Sequence, residues 1–445
     1  MKTNEKKGKG SFIYSLGMIS YGIEYLVISY LTYALTNSFG ISAITTGSIF
    51  LFSRIFDGIS DIIAGVVIDR LNPKVGKARV YDLLHIPLWI CLVLVFSVPN
   101  VGMTAKIIWV FVFYNILQSG IATFMNVAEP MRLQRSFEEE ARVKVMRVTS
   151  IATMVFATIA SVLMPQFIKM FAGQAHGWTI ITLIYAVPLG ILGTMRFFFL
   201  PELTEMQLEA KKNVKGVTIR ECLQALFQNK YALLYGGVMI CWALLNTIAN
   251  GTMTYYFQYV FGDIGAQSYI APASFLTVIA IAVMPKLIEK FGKVNTVRLG
   301  LLLAAICHFG KLLMPQNLVW IFIMYLGASV GITALSFMKP LLTIDCMTYG
   351  KWKTGNAVEA AYSTVNSLAD KLGLGLGSFV LGLILQLGKY DGTQAVQVDS
   401  AVFTIKMCFT VIPCIIMVVA LVFLAFYDLE KKLPQMQKEL EEREK

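Results

Sequence analysis

The stretch Arg54–Asp69, RIFDGISDIIAGVVID, places charged side chains inside a long apolar segment. Asp57 and Asp61 are four residues apart, so a helix carries both carboxylates on one face, one turn apart. A carboxylate inside a bilayer is costly, and two of them on one face also repel each other. They stay charged at low cost only when a cation or a shared proton lies between them. The stretch therefore predicts a cation or proton site within a membrane helix.

The composition of the whole chain is that of a membrane protein. Its 445 residues are 56% hydrophobic and have a mean hydropathy of +0.66, far outside the usage of soluble domains. Apolar runs of about 20 residues recur along the chain, each long enough to cross about 30 Å of hydrocarbon. The cysteines are scattered without a CxxC pair, which argues against a disulfide framework or a metal-binding knuckle. We predict an all-α membrane protein without a large soluble domain.

The loops between the apolar runs alternate in charge. We predict twelve spans, at 11–37, 42–68, 80–99, 103–130, 146–172, 179–200, 231–261, 267–290, 297–314, 317–342, 357–388 and 400–427. Basic residues precede the first span and follow each even-numbered span, for example Arg132 and Arg135 after the fourth. The opposite loops carry little beyond Lys106, Lys311 and Lys389. The positive-inside rule then predicts a multi-pass protein of the cell membrane with both termini cytoplasmic.

This charge pattern also bears on partners and targeting. The formal net charge of +11 is explained by the basic loops, so we favour membrane topology over nucleic-acid binding. The first ten residues, MKTNEKKGKG, precede a long span and lack a short apolar region with a small-residue cleavage site. We therefore expect no signal peptide.

A long internal loop divides the chain into two six-span halves. We predict an N-terminal bundle at 1–200, a central cytoplasmic loop at 201–230, a C-terminal bundle at 231–427 and a charged cytoplasmic tail at 428–445. A weak repeat supports the division, because GVVIDRLNPKVGKAR follows the second span and KLIEKFGKVNTVR follows the eighth. We expect the tail to be a solvated helix, with regulation by a partner as the alternative.

The loop after the second span resembles the signature of the major facilitator superfamily, a Gly, then Asp-Arg, then Gly-Lys or Gly-Arg. Transporters of this class consist of two six-helix halves around a midplane site. With twelve predicted spans and a 6+6 division, the resemblance implies that architecture for this chain.

A closer resemblance, to the glycoside–pentoside–hexuronide:cation symporters, covers the chain in order. Its segments are RIFDGISD at 54–61, EPMRLQRSFEEEARVKVMR at 129–147, DCMTYGKWKTG at 345–355 and NSLADKLG at 366–373, with RFFFLPE at 196–202 ending the first half. The resemblance implies a secondary transporter that imports a pentoside, hexoside or hexuronide with Na⁺ or H⁺ and needs no other cofactor. An enzyme is disfavoured, because the three histidines lie far apart without an HExxH or GxSxG context and no Walker A motif is present.

The resemblance also implies the cation site. Asp57 and Asp61 correspond to the coupling-cation ligands, Ser60 stands where sodium users often carry an Asn, and Ser119 stands where a Thr hydroxyl assists. Na⁺ prefers several hard oxygen ligands, whereas a proton needs only a carboxylate, so the ion stays open. The alternative is that one Asp pairs with Arg54 or Lys371 and merely joins helices.

Three basic residues are implied as sugar-binding or coupling residues. Lys371 lies about fourteen residues into the eleventh span, too deep to reach water easily, although a snorkelling lysine is the alternative. The resemblance places it near the two carboxylates, where it links cation and sugar, and Arg54 is a second coupling candidate. Arg147 taken alone is a flanking charge, but its distance of seventeen residues from Pro130 matches the family's sugar-binding arginine, whose fork can bridge hydroxyls.

The predicted sugar site departs from the family's galactoside-specific pattern. That pattern has two Asp and one Trp where this chain has Tyr21, Ala122 and Asn126, which argues against melibiose as the substrate. Glu24, in the middle of the first span, is a functional-site candidate by default and a possible substitute, with a helix-pairing hydrogen bond as the alternative. Tyr21 and Asn126 are further sugar-contact candidates, and Gln118 is a plausible polar group of the cavity.

Lys339 precedes Pro340 deep in the tenth span. It can hold a substrate carboxylate, which would favour a hexuronide, or pair with Asp345 or Glu359. The predicted partners of the protein are thus a sugar, a coupling cation and the lipid bilayer, with the monomer as the functional form. A lysolipid or other small-molecule cation symporter and a proton-coupled exporter are the alternatives, and the sequence leaves the sugar, its linkage and the ion open.

Overall fold

A computed structural model describes residues 2–71, 73–203, 228–354 and 359–444. Within these ranges the regular elements are all helical. The α-helices are α1 Lys2–Ile28, α2 Leu31–Asn37, α3 Ala43–Arg70, α4 His85–Val95, α5 Met103–Asn115, α6 Thr123–Ser136, α7 Glu139–Phe171, α8 Gly177–Phe199, α9 Lys230–Tyr256, α10 Ala273–Phe291, α11 Lys293–Gly310, α12 Leu318–Thr354, α13 Glu359–Leu387, α14 Asp399–Phe409, α15 Val411–Ala425 and α16 Leu429–Glu444. Two π-helical turns, Ile116–Ala122 and Phe257–Phe261, and two 3₁₀ turns, Arg79–Leu84 and Ile264–Tyr269, complete the list.

The helices follow the apolar runs of the sequence. Among the described residues, eight helices are long and apolar enough to cross a membrane, judged by length and composition. The helix α3 is not one of the eight, since Arg54, Asp57 and Asp61 interrupt its apolar sequence. The charges that point to function therefore also weaken the membrane signal of the helix that carries them.

The chain forms two compact units. The first contains residues 1–212 with 263–271 and 391–396, and the second contains 213–262, 272–390 and 397–445. Most of the predicted central loop, at 204–227, lies outside the described residues, so the predicted domain boundaries stay a prediction.

In the first unit, α1 packs against α4, α7 and α8 through small polar residues. The Ser15 and Thr149 hydroxyls are 3.1 Å apart, and the indole nitrogen of Trp89 donates to Ser20 Oγ at 2.9 Å. Small residues let helix backbones approach closely in a membrane, where interhelical hydrogen bonds add to packing. These contacts fix the helix that carries Glu24.

A buried charge network joins α6 and α8 to the 3₁₀ turn before α4. Asp82, with no exposed surface, accepts from Arg132 Nε at 2.8 Å and from Arg196 Nε at 2.7 Å. Arg196 also forms a bidentate pair with Glu129, with both distances 2.7 Å. Arg132 is only 1% exposed, so its assignment to a basic loop was wrong: it belongs to the interior of the unit because Asp82 neutralises it.

In the second unit, α11 and α12 cross where Gly300 of one helix meets Gly331 of the other. A Cβ on Gly331 would lie 2.9 Å from the Ala304 backbone nitrogen, closer than real Cβ contacts allow. Only glycine therefore permits this approach of the two backbones, which packs the core of the unit.

The C-terminal tail helix α16 packs on the second unit. Leu429, Leu433 and Met436 are buried, which leaves only the opposite face exposed. The Glu430 carboxylate accepts from the Lys293 and Val294 backbone nitrogens at 2.6 and 3.0 Å, at the N-terminus of α11. The expectation of a solvated tail was therefore wrong for one face of the helix, because that face carries apolar residues at helical spacing.

Candidate functional site

The π-helical turn Ile116–Ala122 lies between α5 and α6, within the fourth predicted span. Such a turn admits one extra residue, leaves some backbone groups without their α-helical partner and recurs at functional sites. The Thr123 hydroxyl donates to the Gln118 carbonyl at 3.1 Å, which satisfies one of these groups. The turn thereby holds the neighbouring side chains of Gln118 and Ser119 in a fixed register.

Ser119 meets the buried carboxylate of Asp57. Asp57 is 4% exposed, and its carboxylate accepts a hydrogen bond from Ser119 Oγ on one oxygen and from Arg54 Nη1 at 2.7 Å on the other. The Asn115 amide donates to Ser53 Oγ at 3.0 Å, and its oxygen lies 3.5 Å from Ser119 Oγ. The structure thus brings together three of the predicted cation and coupling residues, Asp57, Ser119 and Arg54.

The Arg54–Asp57 pair lies within one helix, three residues apart. This ion pair does not join two helices, which is the role that the alternative interpretation of Arg54 and Asp57 gave it. Arg54 Nη2 also donates to the Tyr114 hydroxyl at 3.4 Å. Arg54 therefore contacts Asp57 and Tyr114, and its role in coupling stays a prediction.

Glu24 is held by the residue next to Ser119. Its carboxylate is 1% exposed and accepts from Gln118 Nε2 at 3.0 Å. One helical turn before it, the Tyr21 hydroxyl accepts from Asn126 Nδ2 at 2.6 Å. Glu24, Tyr21, Gln118 and Asn126 thus form a polar set on α1 and the fourth span.

The donor set suits an alkali cation or a proton. Asp57 supplies carboxylate oxygens, Ser119 a hydroxyl and Asn115 an amide oxygen, all hard ligands. Among the described residues, no three His, Cys, Asp or Glu side chains lie close enough to hold a metal ion together. Ser60 and Asp61 are half-buried further along α3. Their roles as ligands stay predictions.

Two other predicted sugar contacts, Arg147 and Lys371, lie on different helices, one in each unit. Arg147, on α7, is exposed and has no ion pair within the described ranges. Lys371, on α13, is half-buried and belongs to the second unit. Both roles stay predictions.

Lys339 forms an ion pair that the sequence analysis did not predict. Its Nζ lies 2.6 Å from Asp370 Oδ2, while Asp345 pairs with Lys293 at 2.6 Å. The predicted pairing with Asp345 was therefore wrong, because Lys293 occupies that carboxylate, and the Glu359 side chain lies outside the described residues. Binding of a substrate by Lys339 stays a prediction.

Comparison with known proteins decides the family. The profile of the MFS/sugar transport protein family matches residues 13–431, nearly the whole chain. The chain belongs to this family. It is a multi-pass membrane transporter of the sugar-transport class and not an enzyme, and both the all-α fold class and the resemblance to the glycoside–pentoside–hexuronide:cation symporters are confirmed.

Two similar sequences and one similar solved structure are those of transporters. The isoprimeverose transporter of Lactiplantibacillus pentosus is 29% identical over 97% of this chain and 91% of its own length. The glucuronide carrier protein homolog of Escherichia coli (strain K12) is 26% identical over 97% and 95%. The crystal structure of the nucleoside transporter NupG has a TM-score of 0.66 at 16% identity, covering 95% of this chain and 99% of that one, and supports the fold alone.

Proposed function

We propose that this sugar transporter imports a glycoside, with a pentose, hexose or hexuronic acid unit, together with Na⁺ or H⁺. One observation carries the proposal: two buried carboxylates on different helices, Asp57 and Glu24, are hydrogen-bonded by consecutive residues of one π-helical turn. In this proposal Asp57 binds the cation, Glu24 binds sugar hydroxyls, and the turn transmits one event to the other.

The proposed mechanism begins at Asp57. An arriving cation competes with Arg54 and Ser119 for the same two carboxylate oxygens. When Ser119 reorients toward the cation, Gln118 moves with it because both belong to one turn. The hydrogen bond on Glu24 then changes, and the acid becomes available to the sugar. Cation and sugar stabilise each other's binding by the same factor, as linkage requires.

The resemblance to the family adds four more residues to the proposal: Asp61, Ser60, Lys371 and Arg147. Asp61 and Ser60 complete the cation site, Arg147 binds the sugar, and Lys371 links the two ligands. The loaded protein then exposes its sites alternately to the two sides of the cell membrane. We propose that it does so as a monomer with both termini in the cytoplasm, as its basic loops predict.

A lysolipid carrier is the competing function on this fold. An acyl chain would need an apolar cleft, whereas Tyr21, Glu24, Gln118 and Asn126 present hydroxyl, carboxylate and amide groups to one another. Those groups match the donors and acceptors of a sugar. The polar set therefore favours a sugar over a lipid.

The test is uptake into vesicles that contain the purified full-length protein. Isoprimeverose, a β-glucuronide, a β-glucoside and a galactoside are each offered with an inward Na⁺ gradient and, separately, with an inward proton gradient. We expect one sugar to accumulate with one gradient, and Asp57→Asn to abolish accumulation while leaving the fold intact. No uptake of any sugar with either gradient would overturn the proposal, as would undiminished accumulation by Asp57→Asn.

A further inference from the structure

The second unit contains a polar cluster that the proposed cation site does not use. Lys339, on α12, places its Nζ 2.6 Å from Asp370 Oδ2 on α13 and 5.1 Å from the centre of the Trp242 ring on α9. The side chains of the ion pair are 26% and 27% exposed, so the cluster is neither fully buried nor on an open surface. Three helices of one unit thus hold a cation, an anion and an indole together.

This cluster has hydrogen-bonding capacity left over. Among the described residues, Trp242 Nε1 and Asp370 Oδ1 are covered from solvent and have no hydrogen-bond partner. Lysine carries three donors, and Lys339 directs one of them to Asp370. Covered polar groups without partners are few in native proteins and call for an explanation, because each one is costly. A bound ligand with hydroxyl groups would supply the missing partners after small rotations of these side chains.

We propose that Trp242, Lys339 and Asp370 form a sugar subsite that accepts a neutral glycoside and rejects a hexuronide. A hydroxyl both donates and accepts, so neighbouring hydroxyls of a sugar satisfy the carboxylate, the ammonium and the indole N–H together. The indole ring adds an apolar face for the C–H groups of the sugar. The inference rests on the proposed transport of a glycoside and narrows its class.

The charge of the cluster carries the selectivity. Asp370 neutralises Lys339, so the pair offers a substrate no net positive charge. The carboxylate of a hexuronide would stand beside Asp370, and juxtaposed like charges are strongly unfavourable in a binding site. The sequence left open that Lys339 holds a substrate carboxylate; the observed pair argues against it, since the ammonium already has its anion.

The experiment measures equilibrium binding to the purified full-length transporter by isothermal titration calorimetry. The ligands are p-nitrophenyl β-glucoside and β-glucuronide, which differ only by a hydroxymethyl or carboxylate group, and the corresponding galactoside pair. We expect the neutral member to bind at least tenfold more tightly in the wild type. Asp370→Asn keeps the shape of the side chain but removes its charge, and should shift this ratio at least tenfold toward the uronide.

Two further variants separate recognition from charge. Trp242→Phe retains a ring but loses the indole donor, and we expect weaker binding of the neutral sugar with an unchanged neutral-to-uronide ratio. Asp263→Asn removes a lysine-paired acid of the first unit, whose partner is Lys169 at 2.9 Å, and should change neither quantity. If Asp370→Asn does not fold, Lys339→Gln takes its place and should weaken uronide binding further, since it leaves Asp370 unneutralised.

The outcomes distinguish this inference from the proposed function. Any of three outcomes overturns the subsite. The wild type binds the uronide more tightly, Asp370→Asn leaves the neutral-to-uronide ratio unchanged, or neither sugar pair binds. If the ratio shifts as expected but no sugar accumulates with either gradient, the subsite stands and cation-driven import fails.

Discussion

At the scale of single residues, substitution of Ser119, which donates to Asp57, tests whether this hydroxyl belongs to the cation site. In the proposed mechanism the Ser119 hydroxyl leaves Asp57 and turns toward the cation, and a polar contact to a charged group is worth about 1.5–3 kcal/mol, or roughly a tenfold to hundredfold change in an equilibrium constant. We expect Ser119→Ala to raise the cation concentration needed for half-maximal uptake by at least tenfold. Ser161→Ala is the matched control, because that hydroxyl donates only to the carbonyl of Ala157 in its own helix. Equal effects of the two substitutions would contradict a role for Ser119 at the cation site.

Glu24 offers a second residue-scale prediction. Glu24→Gln keeps the shape of the side chain and removes its charge, so a Glu24 that accepts from sugar hydroxyls loses a charge-assisted bond. We expect the KM for the sugar to rise about tenfold or more, with little change in cation activation. Gln118→Leu, which removes the donor held 3.0 Å from Glu24, should change both quantities if the π-helical turn transmits coupling. A pure loss of stability without either kinetic change would leave Glu24 as a helix-pairing residue.

At the scale of elements, the buried network around Asp82 should dominate the stability of the first unit. Breaking a buried pair by removing one member costs about 3–5 kcal/mol, because the other charge stays buried without a partner. We expect Asp82→Asn to lower the thermal unfolding temperature of the purified protein markedly. The half-exposed pair Lys169–Asp263 is the comparison: the ammonium donates to the Asp263 carboxyl and lowers its pKa, yet Asp263→Asn should cost under about 1 kcal/mol. Similar losses from both substitutions would count against the network.

The tail helix α16 gives a prediction for the second unit. Glu430 accepts from two backbone nitrogens at the start of α11, and removing such a cap costs about 1 kcal/mol. We expect Glu430→Ala to lower the unfolding temperature, while Glu441→Ala, on the exposed face of the same helix, leaves it unchanged. If both variants unfold like the wild type, the contact between α16 and α11 contributes nothing to stability.

Some helical elements could be predicted from the sequence, and others could not. The helix Gly177–Phe199 follows the predicted span 179–200 closely, because the length of an apolar run is enough to predict a membrane helix. The π-helical turn at Ile116–Ala122 was not predicted, since no residue type marks it and only its hydrogen bonds define it. The buried face of α16 was missed although Leu429, Leu433 and Met436 recur at helical spacing, because the charges around them dominated the composition.

For the site, residue chemistry predicted participants but not partners. Asp57, Ser119 and Arg54 were named together and do meet. Lys339 was named without Asp370, and their pairing was missed because they lie on different helices, α12 and α13, whose facing sides a linear sequence does not define. Arg132 was taken for a loop charge because the positive-inside rule counts residues near span ends without regard to burial.

At the scale of the whole molecule, the transporter must convert an ion gradient into a sugar gradient. A monovalent cation that enters down 100 mV supplies about 2.3 kcal/mol, which supports roughly fifty-fold accumulation by voltage alone. That work reaches the sugar only if the protein loaded with a single ligand crosses slowly, whereas the fully loaded protein and the empty protein must both cross to complete the cycle. The reciprocal stabilisation of the two ligands is therefore a property of the complete chain rather than of one site.

Reciprocity itself is the last prediction. If saturating cation raises sugar affinity by a given factor, saturating sugar must raise cation affinity by the same factor, since both describe one coupling free energy. We expect a factor of about 5–150, the usual span of a coupling free energy of 1–3 kcal/mol, in titrations of the purified transporter with each ligand in the presence and absence of the other. In Asp57→Asn the factor should fall to one while the sugar still binds, because Glu24 and its neighbours are intact. If Asp57→Asn keeps the wild-type coupling factor, the coupling cation binds elsewhere than Asp57.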